Sequence, residues 1–199
     1  MKYKYPIVEI FSSIQGEGCN LGKRANFVRF AGCNLNCPWC DTDWSKANEK
    51  LTVDEILSRL DPKALLVVLT GGEPTLQPLD QLITAIEENG WQVAIETNGT
   101  NSTTEIANAH PNVCITCSPK PETGWHINQL CVYDELKYVV DDELTSDVLP
   151  WTEHVPIWLQ PEGGNMQNAW QKALQIQKEC PPFLDIRIGI QLHKIIGAR

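Results

Sequence analysis

Short apolar runs alternate with amphipathic stretches along most of the 199-residue chain, which is how a parallel α/β sheet is written in sequence. A strand over Phe27 to Phe30 enters a loop rich in cysteine. Val53, Ile56, Leu57 and Leu60 then fall at i, i+3, i+4 and i+7, one face of a helix, with Thr52 and Glu55 spaced as its capping box. The run Leu65 to Leu69 predicts the next strand, ending at Thr70 and the tetrapeptide GGEP. Leu79, Leu82, Ile83 and Ile86 repeat the helical stripe until Gly90 stops it. Further strands are expected at Val93 to Ile95, Val113 to Thr116, Glu135 to Val140 and Val155 to Leu159. A helix on Met166, Ala169, Trp170, Ala173 and Leu174 and an extended segment from Phe183 to Gln191 complete the series.

The polar motifs fall where such a fold binds ligands. The cysteine loop, TGGEP, ETNG, SPK and QPEGG each follow an apolar strand directly, and in parallel α/β folds the C-terminal strand ends converge on one rim. Alone, each motif is an ordinary turn of Gly, Pro and Asn. Together they point at one cavity.

Composition narrows the class. Hydrophobic residues make up 42% of the chain, enough for one core and too little chain for two catalytic domains, so a single compact domain over residues 1–199 is expected. No apolar stretch reaches the roughly 18 residues of a membrane span, and MKYKYPIVEIF lacks the long apolar core of an export signal. Eight cysteines without such a signal suggest a reducing, cytoplasmic setting. The formal net charge of −9 with no basic run argues against nucleic acid and for a small-molecule substrate.

Cys33, Cys37 and Cys40 form the pattern C-x3-C-x2-C. Three thiolates ligate three corners of a cubane iron-sulfur cluster and leave the fourth iron open to a non-protein ligand, whereas a closed cluster only moves electrons. Packed apolar thiols remain one alternative. A closed zinc or cluster site completed by Cys19 or another cysteine is a second. Elsewhere, Gly71 and Gly72 lack a β-carbon, so the backbone there can lie against a ligand. Glu96 and Asn98 could hydrogen-bond a ribose or an ammonium, or could be a solvated Asn-Gly turn. Arg29 could pair with a carboxylate as a planar fork, or could be a surface ion pair.

The cysteine spacing with an aromatic residue, Trp39, before the last cysteine, followed by GGEP, resembles the radical S-adenosylmethionine (SAM) superfamily. That resemblance implies a partial (β/α)6-type barrel, a 4Fe-4S cluster on Cys33, Cys37 and Cys40, and SAM chelating the open iron, where one electron releases a 5'-deoxyadenosyl radical. No side chain then needs to act as a catalytic group. Gly72, Glu96, Asn98, Ser118, Pro119, Lys120, Gln160, Pro161, Glu162 and Gly163 would line the SAM site, with Trp39 against the adenine.

The segment EIFSSIQGEG (Glu9 to Gly18), Arg29 four residues before Cys33, the triplet CDT, the SPK turn and the tail QLHKIIGAR extend the likeness from end to end. Together they resemble the 7-carboxy-7-deazaguanine synthases, which rearrange 6-carboxy-5,6,7,8-tetrahydropterin with loss of ammonia on the route to queuosine. By this resemblance Ile14, Gln15, Gly16, Arg29, Thr70 and the C-terminal Arg199 would meet the pterin, the last through its backbone, and Thr42 would hold Mg2+. Asp41 and Asp43, better magnesium ligands on charge alone, would be loop caps or outer supports. The tail, with His193 and Lys194, has Leu192 where a threonine is more usual in the family. A flavodoxin- or ferredoxin-type electron donor and a homodimer are also implied.

Two rivals keep their own expectations. A glycyl-radical activating enzyme would share the cysteine loop and GGEP but accommodate a protein loop. A non-enzymatic zinc or electron-transfer module would need a fourth cysteine ligand. Cys114 and Cys117 form a C-x2-C that reads as core and turn, and Cys19, Cys131 and Cys180 have no partner pattern.

Overall fold

In the computed structural model, residues 2–38, 40, 42–151, 154–161 and 166–199 are described. Among them the strands β1 (Tyr5–Ile14), β2 (Arg24–Phe30), β3 (Glu49–Leu51), β4 (Leu66–Gly71), β5 (Gln92–Thr97), β6 (Cys114–Cys117), β7 (Glu135–Val140), β8 (Ile157–Pro161) and β9 (Ile186–Ile188) form one sheet. Their spatial order is β3-β1-β2-β4-β5-β6-β7-β8-β9. From β2 through β9 neighbouring strands run parallel, while β1 lies antiparallel between β2 and β3. No pairing joins β3 to β9 among the described residues, so the largely parallel sheet that the alternation predicts stays open, as the partial barrel implied by the resemblance would be. Nor is any described helix long and apolar enough to cross a membrane.

The helices are α1 (Val53–Leu57), α2 (Asp80–Glu88), α3 (Thr104–Ala109), α4 (Met166–Glu179) and α5 (Leu192–Ile195). The expected capping box starts α1: Thr52 N–H donates to Glu55 Oε2 at 2.8 Å, and Glu55 N–H donates to Thr52 Oγ1 at 3.3 Å. Strand alternation then sorts the two sheet faces. Val67 and Leu69 of β4 pack with Ile56, Leu82, Ile83 and Ile86 in the helix-side core. Leu66 and Val68 join Ala25 and Ala94 in a small apolar cluster on the other face. The same alternation carries that inner face on to Arg29, Thr70 and Glu96 at the C-terminal strand ends. Arg29 pairs in register with Thr70, so polar groups line up across neighbouring strands.

Three features depart from the expected pattern. The N-terminal β1 and the short β3 extend the sheet beyond the parallel strands. Only Ile186 to Ile188 of the last extended segment pairs with the sheet, and Phe183 is 71% exposed. On α4 the buried face is Ala173, Ile176 and Cys180, while Trp170 and Leu174 are 41% and 46% exposed. Small Ala173 is fully buried against the sheet, whereas the bulkier Trp170 and Leu174 turn outward.

Candidate active site

A cavity of about 280 Å³ opens at the C-terminal strand ends, as the strand-end motifs predict. Of the expected site residues that are described, all but Gly16 and Pro119 border it. Trp39, Glu162 and Gly163 lie outside the described residues, as does Asp41.

One side of the cavity is the cysteine loop. Gly72 presses on this loop so tightly that a β-carbon would overlap the Gly32 carbonyl, and Glu73 N–H donates to that carbonyl at 2.9 Å. Gly71 adopts φ +110° against the Phe30 backbone, a conformation and a contact that both require glycine. Cys33 and Cys37 are half-buried and Cys40 exposed. Burial holds the Cys33 thiol above its ordinary value. Burial and then a hydrogen bond to Glu122 push Cys37 up to about 12, so ligation must release protons.

Asn98 joins this side, its Nδ2 donating to Asn34 Oδ1 at 3.0 Å and lying 3.9 Å from Cys33 Sγ. Beneath it Glu73 is fully buried and accepts from Thr75 Oγ1 at 2.6 Å, Thr97 Oγ1 at 2.8 Å and the Asn98 N–H at 2.7 Å. The acidic residue of GGEP is therefore a brace that ties the end of β4 to the end of β5. Farther along the rim, Lys120 Nζ donates to Ser118 Oγ at 2.6 Å, and burial followed by the charge of Lys137 pulls Lys120 below its ordinary value. Gln160 is buried, and neither polar atom of its amide has a partner among the described residues.

The opposite side is assembled from the β1–β2 connection, β2, β4, β5, β7 and the tail. Arg29 NH1 donates to Thr42 Oγ1 at 3.2 Å and lies 3.5 Å from Glu9. The buried Arg29 Nε has no partner among the described residues, leaving one arm of a planar fork for an anionic ligand. Asp43 accepts from Ser45 N–H and Oγ, which lower its pKa, so it caps the loop as expected. Gln15 Nε2 and Thr70 Oγ1 donate to Glu96 at 3.0 and 3.3 Å. Glu96 thus stands with residues expected to meet the pterin.

Two residues outside the sequence-based expectations complete this network. Lys137 Nζ, buried inside the barrel, donates to Glu17 Oε2 at 2.8 Å and lies 3.6 Å from Glu96. Burial opposes both charges, but the pairing outweighs it: Lys137 is held above its ordinary value, and Glu17 is lowered to about 2 by Lys137 and Gln191. Gln191 Nε2 donates to Glu17 at 2.8 Å, and Leu192 N–H donates to the Gly16 carbonyl at 3.0 Å. His193 occupies the space that a β-carbon on Gly16 would need. At the chain end Ser13 Oγ donates to the Arg199 carbonyl at 2.7 Å, while the Arg199 guanidinium pairs with Glu9 and lies over Phe11.

The donor set fits the implied groups. Three thiols, a β-carbon-free Gly72 and a Gln160 amide border the same space as Arg29, and among the described residues neither that amide nor Arg29 Nε has a partner.

Comparison with known proteins leads to the same place. Residues 27 to 112 match the radical SAM superfamily. The 7-carboxy-7-deazaguanine synthase of Aquifex aeolicus is 36% identical over 94% of this chain and 90% of its own. That of Bacteroides thetaiotaomicron is 39% identical over 97% and 98%. The crystal structure of QueE from Escherichia coli superposes with a TM-score of 0.73 at 27% identity, covering 96% of this chain and 95% of the other. The chain belongs to the 7-carboxy-7-deazaguanine synthases, a radical SAM family.

Proposed function

We propose that this chain converts 6-carboxy-5,6,7,8-tetrahydropterin to 7-carboxy-7-deazaguanine with loss of ammonia. The observation that carries the substrate assignment is the pair of unlike walls around one cavity: cluster thiols on one side, and on the other the buried Arg29 Nε, which has no partner among the described residues. A 4Fe-4S cluster on Cys33, Cys37 and Cys40, with SAM beside it, supplies the one-electron chemistry that starts the rearrangement.

The protein's own work is binding, orientation and exclusion of water. Gly72, Asn98, Ser118, Pro119, Lys120, Gln160 and Pro161, with Trp39, Glu162 and Gly163, hold SAM. Arg29 takes the pterin carboxylate, and Thr42 would hold Mg2+, which would supply a hard cation beside that carboxylate. Gln15, Glu96 and Thr70 offer donors and an acceptor to the polar edge of the ring, with Ile14 and Gly16 beside them. Lys137 keeps its proton, holds Glu17 charged and helps to orient Glu96. The tail from Gln191 to Arg199 closes this wall, which suits a small heterocycle better than the protein loop a glycyl-radical activating enzyme must admit.

The enzyme works in the reducing cytoplasm, takes its electron from a flavodoxin- or ferredoxin-type donor and forms a homodimer. The adjacent exposed Trp170 and Leu174 of α4 support an apolar contact with a second copy. Anaerobic reconstitution followed by SAM, reductant, Mg2+ and the carboxylated tetrahydropterin tests the reading. The expected result is deazaguanine product with SAM unconsumed; conversion of SAM to 5'-deoxyadenosine without loss of pterin would overturn the substrate assignment.

A further inference from the structure

At the floor of the barrel, on the side away from the cysteine loop, lies a side-chain cluster that the proposed reaction does not use. Cys114 opens β6 and Glu135 opens β7, and the turn after β1 brings Cys19 onto both. The two sulfurs are 3.2 Å apart, and they and a Glu135 carboxylate oxygen all lie within 4.8 Å of one another. We infer that Cys19, Cys114 and Glu135 form a second metal site that takes one zinc ion, separate from the cluster.

The donor chemistry favours zinc over hard cations, because two thiolates and one carboxylate are a borderline-soft set. In a tetrahedral site with Zn–S bonds of about 2.3 Å, two thiolates stand roughly 3.8 Å apart, so a small rotation of either side chain admits the ion. A disulfide would instead require the sulfurs to close to about 2.05 Å.

Glu135 is preset as a ligand. It is 2% exposed, and its Oε2 accepts from the Cys19 N–H at 2.9 Å and Trp158 Nε1 at 2.6 Å. Its Oε1 accepts from Thr116 Oγ1 at 2.7 Å, which leaves that oxygen a further lone pair. These donors fix the carboxylate as outer supports fix metal-binding groups in general. Gly18, at φ +64°, lies so close to Glu135 that a β-carbon would collide with it, so only glycine lets the turn press Cys19 onto the carboxylate. Cys19 is exposed, which gives the ion a path from solvent.

Binding balances simply. Each thiol gives up its proton to solvent, two Zn–S bonds and one Zn–O bond form, water completes the coordination, and no electron moves. The ion would clasp the β1–β2 connection to β6 and β7. Gln15 and Glu17, on the same connection, border the cavity, so the clasp also steadies the wall assigned to the pterin.

The test is made on the cluster-loaded protein, so that the loop cysteines are already occupied by iron. After anaerobic incubation with zinc and desalting, metal analysis should find one zinc beside four irons per chain. Cys19→Ser and Cys114→Ser should each weaken zinc binding on the order of 100-fold while leaving iron unchanged. Cobalt in place of zinc should give a thiolate charge-transfer band that Cys19→Ser removes. Since Cys19 is exposed, that variant keeps its fold. Absence of zinc beyond the iron, or zinc retained equally in both serine variants, overturns the site. So does formation of a Cys19–Cys114 disulfide with glutathione disulfide in a protein that binds no zinc. None of these readings depends on turnover, so failure here leaves the pterin reaction standing, and failure of that reaction leaves the zinc count standing.

Discussion

The two walls of the cavity are built on different principles. The cluster wall is local: Cys33, Cys37 and Cys40 share one loop, and Gly71 to Glu73 pack directly on its start. The pterin wall is assembled at long range, from Lys137 to Glu17 across 120 positions and from Gln191 to Glu17 across 174. A local wall stands or falls with its metal. A long-range wall depends on the whole fold, and should fail by degrees. If that difference is real, each wall can be damaged while the other is spared.

The largest effect is expected at Cys33. Cys33→Ala leaves two ligands in the loop, and iron bound after anaerobic reconstitution should fall from about four per chain towards zero, with product formation below detection. The thermal midpoint of the cluster-free protein should hardly change, because the half-buried thiol makes only weak hydrogen bonds. A large loss of stability in the cluster-free form would show that this wall, too, is woven into the fold.

Lys137→Met attacks the other wall at its least exposed point. It leaves Glu17 without its buried cationic partner inside the barrel, which by comparison with other buried pairs costs about 3 to 5 kcal/mol of stability, measured by denaturant unfolding. The same pair sets a pH dependence. Glu17 is lowered from 4.5 to about 2, so its contribution is present above pH 4.5 and is lost as the pH falls towards 2. Acid unfolding of the cluster-free protein should steepen in that window, and Glu17→Gln should flatten it. An acid limb that is the same in Glu17→Gln would show that the pair carries no stability.

The contrast between the walls also explains what could be read from the sequence. The strand-end motifs, the α1 capping box and the α2 stripe depend on neighbours a few residues apart, so pattern and turn chemistry suffice. Lys137 sits in the run ELKYVV, where it reads as one polar position in a strand, and nothing nearby announces that Glu17 neutralises it. The α4 stripe was right at Ala173 and misled at Trp170 and Leu174, which are exposed, while packing buried Ile176 and Cys180 instead. Strand period alone separates Cys114 from Cys117: three positions apart, they face opposite sides of the sheet. Cys114 meets Cys19, and Cys117 hydrogen-bonds Cys131 in the helix-side core.

Arg29→Ala should separate the walls more cleanly than Lys137→Met. Loss of charge-assisted hydrogen bonds to a carboxylate, at about 1.5 to 3 kcal/mol each, lowers kcat/KM for the pterin by roughly 10² to 10³-fold. Cluster content and SAM affinity should stay at the original level, since Arg29 borders the opposite wall. Arg29→Lys should recover only part of the loss, because an ammonium cannot reproduce the planar fork. Equal losses of SAM and pterin binding would place Arg29 between the two ligands and erase the distinction.

The smallest and most specific test is Gly16→Ala. The added methyl would overlap the His193 ring and crowd its backbone nitrogen, so the tail must shift at a cost of about 1 to 3 kcal/mol. Gly16 has no hand in the cysteine loop, and its carbonyl bond to the Leu192 N–H is one of several that seat the tail, together with Gln191 to Glu17 and Ser13 to Arg199. The shift should therefore appear as a pterin KM raised about tenfold with kcat nearly kept, faster proteolysis near residue 192 and an unchanged cluster spectrum. A fall in kcat with KM unchanged would instead mean that the tail excludes water during the reaction without helping to bind the pterin.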